Sequence, residues 1–463
     1  MELRAEEIAS AAGGVVIAGD GSARASSLAN DSRSLEPGAC FVALRAERDG
    51  HDFVGDAFAR GATVALVSRP VVDVAVPPGS AIVRVGDALH ALLALGAWAR
   101  QQLRDATVVG ITGSTGKTST KDLAAAAFRR KFRVRATPAS FNAEIGLPIS
   151  LFGAQSDTDV LVLEMGARAP GDIAALCEIA RPTTGVITNI GLSHAGLLGG
   201  REGIARAKGE LLEALPNDGL AVLDANDAAT AGLATRTRAS VLLVSATDGI
   251  DAEVRARSIV LDPELRASFT LESPWGSAHA RLLVRGAHQV VNAALAAAAA
   301  LANGVPLGDV TAALATVESG PGRLQLRRST TGALVLDDAY NASPASMRAA
   351  LAALAGLRVP GRRIAVLGEM LELGEHSAEE HARVGCLTVD ADVDALVAVG
   401  PEAGAMARAA RECGLVDVVE VPDAAGAFDA VDDRVGAADA VLVKGSRAVG
   451  LELVVRHLTG EAS

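Results

Sequence analysis

Seven consecutive residues, Thr112-Gly113-Ser114-Thr115-Gly116-Lys117-Thr118, set glycines, hydroxyls and a lysine at a spacing that suits a phosphate group. Glycine lets the backbone turn sharply and bring its N–H groups up to an anion, and a helix that follows presents its positive N-terminus to the same charge. Lys117 would reach the outer phosphates of a nucleotide, and the Thr118 hydroxyl would hold a magnesium ion. Gly113, Ser114, Thr115, Gly116, Lys117, Thr118 and Ser119 are therefore the candidate nucleotide contacts. The strict pattern asks for a glycine where Ile111 stands, so the loop is the shortened form GSTGKT. A glycine-rich turn without a ligand is the competing explanation. It is disfavoured by context, because an apolar strand, Val108 to Ile111, runs in and an alanine-rich helix runs out.

Other residues could share the work. Glu164 closes the apolar run Val160 to Leu163, at the strand edge where ligands bind in open α/β sheets, and is the expected second magnesium anchor. His194 follows the run Val186 to Ile190, and a neutral imidazole can ligate a metal, although a lone histidine there is more often a surface residue. Lys208, within Arg206-Ala207-Lys208-Gly209-Glu210, reads by composition as a solvated helix lysine. Asp31-Ser32-Arg33 and Asp49-Gly50-His51-Asp52-Phe53 read as turns or helix caps when taken alone. His376, Glu379, Glu380 and His381 lack the HExxH spacing and suit a solvated helix start.

The 463 residues allow about three domains, placed at 1–105, 106–318 and 319–463. Only 3% of residues are aromatic while 50% are hydrophobic, so the cores must be built from Ala, Val and Leu, as in parallel sheets wrapped in helices. The first unit is a small α/β domain with short apolar runs at Val15 to Ala18, Cys40 to Leu44, Ala62 to Val67 and Ile82 to Val85. In the second, Ser140 to Pro148 reads as an irregular loop ended by proline. Gly320-Pro321-Gly322 reads as a hinge. Beyond it strands and helices alternate in a doubly wound, Rossmann-like pattern, with no GxGxxG to suggest a dinucleotide. Polar loops follow its strands instead: Asp337 to Asn341, Gly368 to Met370 and Lys444 to Arg447.

A net charge of −12 with few aromatics excludes the electrostatic footprint and stacking platforms of a nucleic-acid binder. Cys40, Cys177, Cys386 and Cys413 form no CxxC pair and read as buried thiols in a reducing cytosol. The charged start lacks a signal-peptide core, and the longest apolar run, Ala293 to Ala302, is too short to span a bilayer. A cytoplasmic protein without a membrane span is expected.

Taken together, the segments resemble the Mur ligases, the ATP-dependent amide-forming enzymes of peptidoglycan synthesis. The resemblance rests on GSTGKT, Glu164, Asn189-Ile190-Gly191 with His194, Lys208-Gly209-Glu210 and Gly322-Arg323-Leu324. Three further stretches, Asp337-Asp338-Ala339-Tyr340-Asn341-Ala342-Ser343-Pro344, Leu367 to Gly374 and Val443 to Arg447, resemble the member that attaches D-alanyl-D-alanine. The DNPR signature of the member adding the third residue is absent.

The resemblance implies three domains. The first holds the UDP end of the precursor, with Ser32, Arg33 and His51 near it; the central P-loop ATPase-type domain holds ATP and magnesium; the third closes over both. It implies that Thr118 and Glu164 hold one Mg²⁺, and that His194 holds a second together with Lys208 modified to a carbamate. Asn292 would meet the adenine, and Arg323, Asp338, Tyr340 and Asn341 would reach the nucleotide from the closing domain. Asn142, Lys444, Ser446 and Arg447 would face the peptide substrates. Lys117, Lys208 and His194 would be the catalytic residues. The family often has asparagine where Ala143 and Gln289 stand.

The implied reaction moves the γ-phosphoryl group of ATP to the terminal carboxylate of UDP-N-acetylmuramoyl-tripeptide, and the amine of D-alanyl-D-alanine then displaces phosphate. A monomer is expected. The alternatives are another amide ligase of the superfamily, such as a folylpolyglutamate synthetase, and a nucleotide-binding switch without turnover.

Overall fold

The computed structural model describes residues 1–138, 141–193 and 195–461. Three large β-sheets follow one another along the chain. The first orders its strands Val15–Gly19, Ala81–Arg84, Val64–Val67, Ala39–Val42 and Ser27–Ala29, parallel except at the Val15–Gly19 edge. Ala39–Val42 and Val64–Val67 are buried at every position, as strands covered on both faces must be.

From this unit the helix Ala88–Gln102 leads to the next. Asp87 caps it by accepting the His90 N–H at 2.8 Å. Ala88, Leu92, Leu95 and Ala99 recur at helical spacing and share one apolar core with Leu147, Leu151 and Phe152 of the helix Gly146–Phe152. The first two units are thus welded through a common interior. Leu95 is fully buried there, so Leu95→Ala is expected to cost about 3 kcal/mol of stability, read by denaturant unfolding. A loss under about 1 kcal/mol would show that the seam is not packed as described.

The middle sheet has nine strands, in the order Val134–Ala136, Val160–Glu164, Thr107–Thr112, Thr184–Ile187, Leu220–Asp224, Ser240–Ser245, Val254–Leu261, Arg266–Ser273 and Gly276–Arg285. Pairing is parallel as far as Val254–Leu261 and antiparallel in the last two pairs. Strand order reverses around Thr107–Thr112: the next two strands in sequence lie on one side and Thr184–Ile187 on the other. Such a switch point opens a crevice at the carboxyl ends of the strands. The alanine-rich helix Gln289–Ala302 packs on the helix Lys117–Phe128, its small side chains permitting close approach, and both sit in one core over the sheet.

The third sheet runs Gln325–Arg328, Leu334–Asp337, Ala440–Lys444, Arg363–Gly368, Ala395–Val399 and Asp417–Val421, antiparallel only in its first pair. Leu336, Leu442, Ala365 and Leu396 point to one core, and Val335, Val441, Ile364 and Val397 to another. This alternation is the mark of a sheet covered on both faces, so the third unit is doubly wound as expected.

Several readings need correction. Pro148 does not end a loop; it lies in the first turn of the helix Gly146–Phe152, where its missing N–H has no helical partner to lose. Cys40 and Cys177 are buried thiols, each pushed up to about 12 mainly by burial. Cys386 and Cys413, however, form a disulfide, with Cα atoms 5.5 Å apart. Packing of the helices Ser377–Asp390 and Gly404–Glu412 brings them together across 27 residues of sequence. Glu380 and His381 are buried rather than solvated. His381 Nε2 accepts the Met370 N–H at 2.9 Å and its Nδ1–H donates to the Ser377 carbonyl, which pins the loop after Arg363–Gly368. No helix among the described residues is long and apolar enough to cross a membrane.

Candidate active site

The loop after Thr107–Thr112 is held open by the segment Thr188 to Gly191. Asn189 Oδ1 accepts the Thr115 N–H and hydroxyl, each at 3.1 Å, while its Nδ2 donates to the Thr115 carbonyl at 3.1 Å. Ser114 N–H donates to the Asn189 carbonyl, and the Ser114 hydroxyl bonds both polar groups of Gly191 at 2.9 Å. The two glycines are needed on both sides of this arrangement. Gly113 has φ 148°, and a Cβ there would strike Thr188 Oγ1; Gly116 has φ 81°, and its Cβ would come within 2.5 Å of Asn292 Oδ1. Lys117 then opens the helix Lys117–Phe128 with its Nζ donating to the Gly113 carbonyl at 2.8 Å. Burial lowers its pKa, Glu164 opposes that shift, and Arg323 adds to it. The result is a lysine curled onto its own loop, short of the counter-charge that a phosphate would bring.

Glu164 ends its strand opposite Ile111, one residue before the loop begins. Its Oε2 accepts the Thr118 hydroxyl at 2.8 Å and its Oε1 accepts the Asn142 amide at 2.7 Å. Both carboxylate oxygens are thus held by neutral donors. Lys208 is the sharpest departure from composition: it lies in the helix Gly200–Glu213 with a relative exposure of 1%. Burial, and then Lys117, hold its pKa well below the ordinary lysine value. It makes no hydrogen bond or ion pair with any described residue. His194, the remaining metal candidate, lies outside the described residues.

The third unit reaches across to this cradle. Arg323 donates from Nη2 to Thr118 Oγ1 at 3.1 Å, and its guanidinium lies 4.1 Å from the centre of the Tyr340 ring, with Arg447 also over that ring at 5.1 Å. Asp338 accepts the Leu324 N–H at 3.0 Å and pairs with Lys444 Nζ at 2.6 Å, and Lys444 also donates to the Asn341 carbonyl. Lys444 is therefore held within its own domain. Ser446 is buried and its hydroxyl accepts the Leu371 N–H at 2.9 Å. Between the three units lies a cleft of about 1680 Å³. Ser119, Asn142, Glu164, Lys208 and Asn292 share its wall with Ser114 to Thr118 of the phosphate loop and with Arg323, Asp338, Tyr340, Asn341, Lys444, Ser446 and Arg447; Gly113 does not line it.

Ser32, Arg33 and His51 do not lie on that wall. Arg33 is exposed and bonded to Asp31 through Nε and Nη2, which holds the Asp31 carboxyl at about 2. His51 is buried and bonded at both ring nitrogens, to Asp49 Oδ1 and to the Ser68 N–H at 2.9 Å. It shapes the loop at the rim of the first sheet and has no ring nitrogen to spare. Thr188, Asn189, Arg201 and Asp227, which carry no role in the sequence-based expectations, also shape the cradle. Asn189 stands out in the sequence within Asn189-Ile190-Gly191, but nothing local pairs it with Thr115.

The family model described as Mur ligase middle domain matches residues 111–300, and that described as Mur ligase, glutamate ligase domain matches 322–447. A relative from Mycobacterium tuberculosis (strain ATCC 25618 / H37Rv), named UDP-N-acetylmuramoyl-tripeptide--D-alanyl-D-alanine ligase, is 42% identical over 93% of this chain and 91% of its own. A crystal structure of MurF from Acinetobacter baumannii superposes with a TM-score of 0.85 at 31% identity, covering 99% of each chain. MurF ligase from Thermotoga maritima, solved in complex with ADP, gives a TM-score of 0.76 at 30% identity over 94% of this chain and 97% of that one. With both family domains matched in order and with its phosphate cradle at the switch point of the middle sheet, this chain belongs to the Mur ligase family.

Proposed function

We infer that this chain is an ATP-dependent ligase that joins D-alanyl-D-alanine to UDP-N-acetylmuramoyl-tripeptide in peptidoglycan precursor synthesis. The observation that carries the reading is the Thr118 hydroxyl, bonded at once to Glu164 and, from the third unit, to Arg323. A nucleotide in the cradle would thus be gripped from two domains.

In the first step the terminal carboxylate of the tripeptide attacks the γ-phosphorus of ATP in line, and ADP leaves. The dipeptide amine then attacks the acyl carbon, loses a proton and expels phosphate. A carboxylate and a triphosphate repel, so the site must supply positive charge before they can meet. Lys117 and Arg323 provide it from opposite walls. Closure of the third unit keeps water from the acyl phosphate.

Two magnesium ions are proposed. Thr118 and Glu164 would hold the first, and Lys208 as a carbamate would hold the second with His194. When bound, magnesium neutralises phosphate oxygens and orients them for transfer. The fit of Lys208 rests on its burial without a partner: a neutral amine can take up CO₂ and release a proton, becoming a carboxylate-like ligand, whereas an ammonium would repel the ion. Ser32 and Arg33 are the first-domain side chains proposed to meet the uridine end, with the His51-braced loop beside them. The enzyme is proposed to work in the cytoplasm as a monomer.

Coupled phosphate release with a panel of UDP-precursors and dipeptides tests the assignment. Release should require the tripeptide precursor and be stimulated by D-alanyl-D-alanine. Stimulation by glutamate with a folate instead would move the chain to the folylpolyglutamate branch, and binding without turnover would make it a switch. The hinge at Gly320 to Gly322 gives a further expectation. Gly322 has φ 64° and its carbonyl accepts the Tyr340 N–H, so the chain turns there just before Arg323. Small-angle scattering should show a smaller radius of gyration with nucleotide and precursor bound; an unchanged radius in every liganded state would count against closure.

A further inference from the structure

Asn189 and Gly191 hold the phosphate loop, and the peptide between them belongs to Ile190. Both polar groups of Ile190 are gripped by one charged pair. Asp227 Oδ2 accepts the Ile190 N–H at 2.8 Å, and Arg201 Nε donates to the Ile190 carbonyl at 3.1 Å. The pair is closed by Arg201 Nη2 donating to Asp227 Oδ1 at 2.7 Å. The Thr230 hydroxyl donates to Asp227 at 2.6 Å, fixing that carboxylate at the head of the helix Ala228–Gly232. Charge-assisted bonds from a planar guanidinium hold direction as well as distance, which a lone surface ion pair would not.

Arg201 lies in the first turn of the helix Gly200–Glu213, and Lys208 follows about two turns later on the same helix face. The clamp therefore ties two things to one point: the strand-end segment that walls the phosphate loop, and the helix that carries Lys208. Both Arg201 and Asp227 lie on the cleft wall. Asp227 is only 16% exposed at its side chain.

We propose that Arg201 and Asp227 are positioning residues for phosphoryl transfer, setting the phosphate loop and the Lys208 helix in mutual register through the Ile190 peptide. The proposal deepens the ligase reading above and rests on it. A nucleotide's outer phosphates are the group whose placement depends on the clamp; the incoming dipeptide is not.

The test uses full-length Arg201→Ala, Arg201→Lys and Asp227→Asn. For each, kcat, KM for ATP and for D-alanyl-D-alanine, the Kd of a non-hydrolysable ATP analogue and the thermal midpoint are measured. Arg201→Ala should weaken analogue binding and lower kcat by about 10–100-fold, the range seen when an outer partner of a metal or phosphate site is removed. Its KM for the dipeptide should stay that of wild type. Arg201→Lys should recover only part of the loss, because an ammonium can satisfy the Ile190 carbonyl or Asp227 but lacks the fork to hold both. Asp227→Asn should act in the same direction and less, since its amide oxygen still accepts the Ile190 N–H. Wild-type nucleotide affinity and kcat in Arg201→Ala would overturn the proposal, as would losses that merely follow the folded fraction. If the wild type binds nucleotide but never turns over with the dipeptide, the ligase reading fails while the analogue affinities still decide the clamp.

Discussion

Lys208→Ala is expected to be nearly inactive and to regain activity when short-chain carboxylic acids are added, whereas Lys208→Arg is expected to stay inactive. The side chain is buried to 1% exposure and has no polar partner among the described residues. A lysine in water has a pKa near 10.4, and burying its cation unpaired is costly, which favours the neutral amine. Burial lowers the Lys208 pKa well below that ordinary value, and the Lys117 charge adds to the effect. A neutral amine is the form that attacks CO₂, and the product places a carboxylate where the chain has none of its own. Removing it should cost on the order of 10²–10³ in kcat, the scale of one lost electrostatic contact in a dry site. A small acid that fits the vacated space restores the charge; arginine keeps both the bulk and the wrong sign. Labelled carbon dioxide should also give a carbamate carbonyl signal in wild-type protein that Lys208→Ala lacks. If Lys208→Ala retains most of wild-type turnover with no additive, the carbamate is wrong.

Lys117→Ala is the second large effect. The lysine sits over its own loop, its ammonium on the Gly113 carbonyl at 2.8 Å, in a cradle whose shape is set by Asn189, Thr188 and two glycines rather than by the lysine itself. The fold should therefore survive its loss, with a circular dichroism spectrum and thermal midpoint like those of wild type. Turnover should fall by at least about 3 kcal/mol in activation free energy, because the charge it offers to the γ-phosphate has no substitute within the cradle. Activity within about tenfold of wild type at saturating ATP, a deficit of only about 1.4 kcal/mol, would remove the phosphate-loop assignment.

Much of the site could be read before any coordinates. GSTGKT lies where a strand gives way to a helix, and Glu164 ends the next parallel strand, because phosphate loops and strand-end acids are made by contiguous residues whose local geometry carries the meaning. Alternation of apolar runs with helical spacing likewise sufficed for the doubly wound third unit. The antiparallel strands between Val254 and Arg285 are less legible, since their buried residues alternate singly with Arg, Ser, Thr and other polar residues and form no continuous apolar run.

What no local pattern could decide is which side chains meet across the fold. Lys208 looks solvated by composition, and only the packing of its helix against the middle sheet buries it and strips its partner. Cys386 and Cys413 look unrelated until two helices of the third unit lie side by side. Arg323 reaches Thr118 across 205 residues, and Asn189 reaches Thr115 across 74. Spacing along a chain encodes dihedral angles and periodicity, whereas these contacts depend on sheet order and domain docking. The amino-acid order settled the chemistry on offer, and the tertiary structure settled which of those groups share one cleft and at what charge.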